Sequence, residues 1–119
     1  TVNPKMKESV EAAELQRMNR EGLLLNCTVT GPVSYDVAMD ARIARHKGFD
    51  CPHCGDFDVL LAPDMTCGNI LSKALILSAG ARMGGVIAGA RAPIVLTSRG
   101  SSAKEKFNSI ALAALLAGE

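Results

Sequence analysis

A change of rhythm along the chain is what most constrains its fold. Segments with apolar residues at helical spacing alternate with short uncharged apolar runs of strand length, and clusters bearing Gly, Pro, Asp or Ser separate them. That alternation calls for an α/β architecture, a mostly parallel sheet flanked by helices.

The first helical segment spans 6–20, with Met6, Val10 and Ala13 on one face, Pro4 ahead of it and Gly22 to stop it. Residues 23–29 mix Leu, Cys, Thr and Val without a charge and read as a strand buried on both faces. After Gly31-Pro32 a second helix is predicted over 36–45, with Val37, Ala41 and Ala44 together. No period survives across 46–57, which reads as a loop, and 58–62 reads as a short buried strand. A helix over 67–81 follows, capped by Thr66, with Ile70, Ala74 and Leu77 as its core face. Apolar runs at 84–88 and 94–97 flank a turn holding Gly89, Arg91 and Pro93. A last helix carries the stripe Phe107, Ile110, Ala111 and Ala114, and Ser102 with Glu105 fits a capping box at its start.

Composition narrows the function classes. A chain of 119 residues, 48% apolar, can bury the core of one globular domain. Its apolar runs are too short to span a membrane, and its polar opening lacks a secretory signal layout, so the expected location is cytoplasmic. A net charge of +1 with one Tyr and three Phe offers neither a phosphate-neutralising surface nor stacking platforms, so nucleic acid is not an expected partner.

In sheets of this class ligands gather beyond the carboxyl ends of strands. Three polar clusters fall there: Gly31-Pro32, residues 63–69, and residues 97–102. The last joins a strand to a helix and offers Thr97, Ser98, Arg99 and two further serines. Orphan amides at a helix N-terminus attract an anion, and a guanidinium binds two of its oxygens at once. The alternative is ordinary capping chemistry. In the 63–69 cluster, which carries Asp64, Gly68 and Asn69, the helical spacing sets Asn69 and Lys73 on one face, where an amide and an ammonium could hold a phosphate or acyl oxygen.

Cys51-Pro52-His53-Cys54 precedes a predicted strand, whereas a redox pair belongs at a helix N-terminus that follows one. With no second paired motif it reads as a loop with two thiols, not as a zinc or redox module, and no metal is expected. Cys27 reads as a small buried hydrophobe, Cys67 as at best mildly activated, and His46 as a solvated cation at a helix end.

The strings Val2-Asn3-Pro4-Lys5-Met6, Gly31-Pro32 with Asp36, Pro63-Asp64 with Gly68-Asn69 and Lys73, and Pro93 through Arg99 with Asn108-Ser109-Ile110-Ala111 resemble, in order and spacing, the phosphate acetyl/butyryltransferases. The resemblance covers nearly the whole chain and is closer to the butyryl branch. It implies the C-terminal portion of a two-domain enzyme of isocitrate/isopropylmalate dehydrogenase-like fold, with residues 1–93 in the second domain and 94–119 returning to the first. The implied reaction is reversible transfer of a short acyl group between phosphate and coenzyme A. Coenzyme A serves as substrate and no cofactor is needed. By position, Ser98 and Arg99 resemble the family's active-site pair, with Thr97, Asp64, Gly68, Asn69 and Lys73 as substrate-binding candidates. Glu105 stands where the acetyltransferases place an Asp associated with deprotonating the thiol. The resemblance also implies a homodimer for the full-length enzyme, and little turnover from this portion alone. A rival reading is a non-catalytic acyl-CoA-sensing domain, as occurs fused to malic enzymes.

Overall fold

A computed structural model describes residues 2–118. Their elements are α1 (Lys7–Arg20), α2 (Tyr35–Met39), α3 (Ala41–His46), α4 (Met65–Ala79), β1 (Val86–Ile87), β2 (Ile94–Val95) and α5 (Ala103–Ala117). They divide into two compact units, one up to Pro63 and one from Asp64.

In the first unit α1 starts and stops as expected, but its inward face lies beside the predicted one. Met6 and Val10 are about half exposed, whereas Ser9 is buried and Ala12, Ala13 and Gln16 are half-buried. The reason is close approach: a Cβ on Gly31 would stand 3.3 Å from the Ala12 Cβ, a spacing that only small residues permit. Ser9 also accepts the Asn3 amide at 2.9 Å, so its burial is hydrogen-bonded.

The helix predicted over 36–45 is two helices. Asp40 adopts extended backbone between them and caps α3, its carboxylate accepting the Arg42 amide at 2.7 Å. An Asp side chain offers the backbone that alternative to continuing a helix. The Arg42 side chain bonds the same carboxylate and, with the amide, holds it down to about 2. Val37 and Ala44 share a buried cluster with Cys54, as their spacing predicts, and Val33, Ile43, Phe49, Cys51 and Phe57 pack around it.

Residues 23–29 and 58–62 form no strands. Leu25 is 72% exposed and Val59 78%, and no neighbouring strand stands beside either run among the described residues. An apolar run becomes a buried strand only where a ladder partner accepts its amides. Residues 23–29 are instead held by Asn19, whose side-chain amide donates to the carbonyls of Leu24 and Cys27 and whose oxygen accepts the Val29 amide at 3.0 Å. Asn26 takes a left-handed φ of 58°, which no strand contains.

The second unit holds the one sheet among the described residues, a two-stranded antiparallel pair with Val86 opposite Val95 and Ile87 opposite Ile94. The mostly parallel sheet expected from the alternation is therefore absent from these residues, although the α/β class stands. α5 packs on both strands. Its buried residues are Ser109 and Ala113, whereas Phe107 and Ile110 of the predicted stripe are 69% and 61% exposed. The glycines opposite explain the inversion. A Cβ on Gly84 would meet the Asn108 carbonyl at 3.3 Å and one on Gly85 would stand 2.5 Å from the Leu96 oxygen, so backbone approaches backbone here. On α4 the predicted face again points outward, with Ile70 65% and Leu77 81% exposed, and Leu71, Leu75 and Ile76 are its half-buried apolar residues.

Candidate anion-binding loop and cleft

In the second unit residues 98–101 close a reverse turn, the Ser101 amide donating to the Ser98 carbonyl at 3.0 Å. The two hydroxyls brace it from inside: Ser101 Oγ accepts the Ser98 amide at 3.1 Å, and Ser98 Oγ accepts the Gly100 amide at 3.4 Å. Each hydroxyl keeps its proton to donate elsewhere. Arg99, at the turn's outer corner, is exposed and pairs with no carboxylate among the described residues.

α5 begins directly after this turn, and the expected capping box is present. Ser102 Oγ accepts the Glu105 amide at 3.3 Å, and Glu105 Oε2 accepts the Ser102 amide at 2.7 Å. The box consumes those two amides, and Lys106 donates to the Ser102 carbonyl. The amides of Ala103 and Lys104 are left as the open donors of the first turn. Just before them in the chain stand Arg99, in no ion pair among the described residues, and the hydroxyls of Ser98 and Ser101. An anion placed there meets neutral donors and positive charge together.

The 63–69 cluster differs from expectation in one respect: Asp64, not Thr66, caps α4, which starts two residues earlier than predicted. Its carboxylate accepts the Cys67 amide at 2.7 Å and its carbonyl accepts the Gly68 amide. A carboxylate reaches the third helical amide better than a threonine placed inside the first turn can. Asp64 is thereby committed to the backbone. Asn69 is exposed, and its carbonyl accepts from the Ser72 hydroxyl.

One turn farther, Lys73, Ile76 and Leu77 of α4 line a small cleft together with Met83, Gly100, Ser101 and Glu105, about 180 Å³ in volume. The structure thus brings Lys73 and Glu105 to the serine-rich turn. Thr97, Ser98, Arg99, Asp64, Gly68 and Asn69 lie outside that lining. Lys73 and Glu105 form no ion pair, so the ammonium keeps its charge for a third party. Sequence reasoning did not single out Ile76 or Met83 for this place. The signal was available for Ile76, which stands three residues after Lys73 on one helical face.

In the first unit, Cys51 and Cys54 close a turn, the Cys54 amide donating to the Cys51 carbonyl at 3.4 Å, and both are free thiols. Burial pushes the Cys54 thiol up, reinforced by its hydrogen bond with Cys51. His53 stands beside the Phe57 ring instead of beside a thiol base, with centroids 6.4 Å apart. Among the described residues no cluster of three or more His, Cys, Asp or Glu is arranged to hold a metal. Cys27 is exposed, not buried as a mid-strand hydrophobe, because its strand does not form. Among the described residues no helix is long and apolar enough to cross a membrane.

A family model described as phosphate acetyl/butaryl transferase matches residues 1–114. The chain belongs to that family. Among this acyltransferase family's curated members it is 42% identical to the phosphate butyryltransferase of Clostridium acetobutylicum, over 98% of this chain and 39% of that protein. It is 44% identical to the phosphate acetyltransferase of Thermotoga maritima, over 98% of this chain and 40% of that one. A crystal structure of a branched-chain phosphotransacylase from Enterococcus faecalis superposes with a TM-score of 0.85 at 39% identity, covering 96% of this chain and 41% of that one. The chain therefore spans about two-fifths of the length of these phosphate acyltransferases.

Proposed function

We propose that the parent of this chain transfers a short acyl group reversibly between phosphate and coenzyme A. The observation that carries this is the cleft that sets the Lys73 ammonium against the serine-rich turn, next to a helix N-terminus with open amides. In the reaction the coenzyme A thiolate attacks the acyl carbonyl, the carbonyl oxygen takes up negative charge, and phosphate leaves as the new C–S bond persists. Ser98 and Arg99 serve as the donors that hold phosphate and neutralise the oxyanion, with Thr97 and the α5 amides beside them. Lys73, with Gly68 and Asn69 upstream on α4, receives the phosphate end, and Asp64 fixes that helix start. Glu105 takes the thiol proton through the carboxylate oxygen that the capping box leaves unused.

On this reading residues up to 93 belong to the second domain of a dehydrogenase-like two-domain enzyme and 94–119 to the first. The enzyme works in the cytoplasm as a homodimer without a bound cofactor. The acyl-CoA-sensing alternative draws no support from the relatives, which are named as transferases.

The test is acyl transfer from butyryl and acetyl phosphate by the full-length parent. Ser98→Ala and Arg99→Ala should each lower kcat/KM at least tenfold, about 1.4 kcal/mol of transition-state stabilisation apiece. A folded parent that binds acyl-CoA and transfers nothing would overturn the proposal. Glu105→Gln, which keeps a capping oxygen, should lower kcat and flatten its pH dependence. An unchanged rate and profile would leave Glu105 with the helix cap alone.

A further inference from the structure

We infer that Cys51 and Cys54 form a modification site, a thiol pair that reacts with the disulfide form of a low-molecular-weight thiol and closes into an intramolecular disulfide. The inference stands apart from the acyl-transfer reading and uses residues to which that reading gives no role.

The backbone of the first unit holds the pair together. Cys51 and Cys54 occupy the two ends of one turn, closed by the Cys54 amide on the Cys51 carbonyl at 3.4 Å. Pro52 stands at the second position of that turn, where its fixed φ presets the bend. The ends of such a turn lie less than about 7 Å apart at Cα, and a disulfide spans roughly 4.4–6.8 Å, so the bond forms with little movement of the chain. The far end of the turn is fastened to α2 by the Gly55 amide, which donates to the Ala38 carbonyl at 2.8 Å. Gly55, at φ 90°, brings the backbone against Ala41, whose nitrogen would stand 3.3 Å from an added Cβ. The other two thiols are placed differently. Cys67 lies in the second unit, and Cys27 is exposed in the segment that Asn19 holds.

The two thiols differ in access, and access sets the order of events. Cys54 is 6% exposed, in the cluster with Val37 and Ala44, and burial pushes its thiol up. Cys51 is half-buried, packs at the edge of that cluster and lines a cleft of about 460 Å³ with Arg45, Asp50 and Pro52. Cys51 is therefore the entry point. Having given its proton to water, its sulfur attacks one sulfur of the small disulfide RSSR, and the thiolate that leaves takes up a proton as RSH. Cys54 then gives up its proton and attacks the Cys51 sulfur of the mixed disulfide, releasing the second RSH. The protein dithiol loses two electrons and RSSR gains them. Because the second step is intramolecular, proximity offsets the reluctance of Cys54 to ionise. A catalytic oxidoreductase needs a thiol activated at a helix N-terminus, which this turn does not provide, whereas a single closure needs only access and distance.

The experiment treats the full-length parent under native conditions with glutathione disulfide, alkylates the remaining thiols and maps the peptides by mass. The peptide carrying Cys51 and Cys54 should lose two hydrogen atoms and retain no glutathione, the internal disulfide exceeding the mixed one by roughly tenfold or more. Cys27 and Cys67, without a resolving thiol, should keep any glutathione they acquire. Cys54→Ser should trap glutathione on Cys51. Cys51→Ser leaves only the buried thiol, and Cys54 should then react about tenfold more slowly than Cys51 does in Cys54→Ser. The deciding measurement is made on the wild type, so neither variant's stability bears on it. A wild-type pair that stays reduced would overturn the inference, and so would a glutathione adduct that persists on Cys51.

Discussion

Ser109 joins α5 to the segment leading into β1, and its removal should show how much that junction contributes. The residue is 2% exposed. Its hydroxyl oxygen accepts the Gly85 amide at 2.9 Å and its proton goes to the Glu105 carbonyl at 2.7 Å. Ser109→Ala leaves the Gly85 N–H facing a methyl group, and an amide stranded in that way costs about 1–3 kcal/mol. Water cannot replace the hydroxyl easily, because backbone crowds the site: a Cβ on Gly85 would already be 2.5 Å from the Leu96 oxygen. Against this, alanine gains up to about 0.5 kcal/mol over serine inside a helix, and the Glu105 carbonyl keeps its place in the helical ladder. The net expectation is a loss of about 1–2 kcal/mol in urea unfolding of the full-length protein, with the Gly85 amide losing hydrogen-exchange protection first. Ser72→Ala is the comparator, since that hydroxyl serves only the nearby Asn69 carbonyl and should change stability by less than about 0.5 kcal/mol. A neutral or stabilising Ser109→Ala, or an undiminished Gly85 amide, would refute the reasoning.

Asp64→Ala should cost about 1 kcal/mol and fray the first turn of α4, while Thr66→Ala stays within about 0.5 kcal/mol; amide exchange across residues 65–68 separates the two caps. Asp36 bonds Lys47 at 2.5 Å and Ser34 at 2.6 Å, which lowers its carboxyl from 3.8 to about 2. Because the folded-state value is the lower one, its stabilisation is present above pH 4 and is lost as pH falls toward 2, so acid titration of Asp36→Asn should lack that part of the decline. Both partners are partly exposed, and 1 M salt should blunt the wild-type effect as well. Gly85→Ala forces its Cβ against the Leu96 carbonyl and should lower stability by about 1–3 kcal/mol, read as a fall in Tm.

Most helix signals were legible in the sequence, apart from the break at Asp40, whereas burial was legible for Val37 and Ala44 and little else. The Ser102-Glu105 box and the stop at Gly22 depend on residues adjacent in sequence, so local chemistry suffices to place them, whereas α4, predicted to run on to residue 81, is ended earlier by the left-handed Gly80. Which face turns inward depends on what lies opposite. On α1 and α5 the buried residues are Ser9, Ser109 and Ala113, with Ala12 close against Gly31 and Asn108 and Ser109 against Gly84 and Gly85. A search for large apolar side chains at helical spacing finds Met6, Val10, Phe107 and Ile110 instead, the residues on the open side. Volume, not hydrophobicity, decides where backbones touch. The two missing strands follow the same logic, since an apolar run specifies extended backbone only when a neighbour takes its amides.

The candidate site divides along similar lines. The capping box of Ser102 and Glu105 was legible because a strand-to-helix turn carries its own donors and cap. The cleft was half legible, since Lys73 stood out as a charge while its apolar neighbours read as unremarkable helix. What joins them is the αL turn at Gly80, which sends the chain back so that Met83 faces the helix it has just left. A single residue with φ of 67° therefore links the α4 face to the serine-rich turn. Gly80→Ala, which nothing crowds sterically, should test that link: the penalty would come from the left-handed backbone alone, about 1 kcal/mol. If the cleft depends on this turn, the variant should lower the hydrogen-exchange protection of the residues around Met83 while leaving the Ser102-Glu105 cap protected. Equal loss at both places would mean that the unit loosens as a whole.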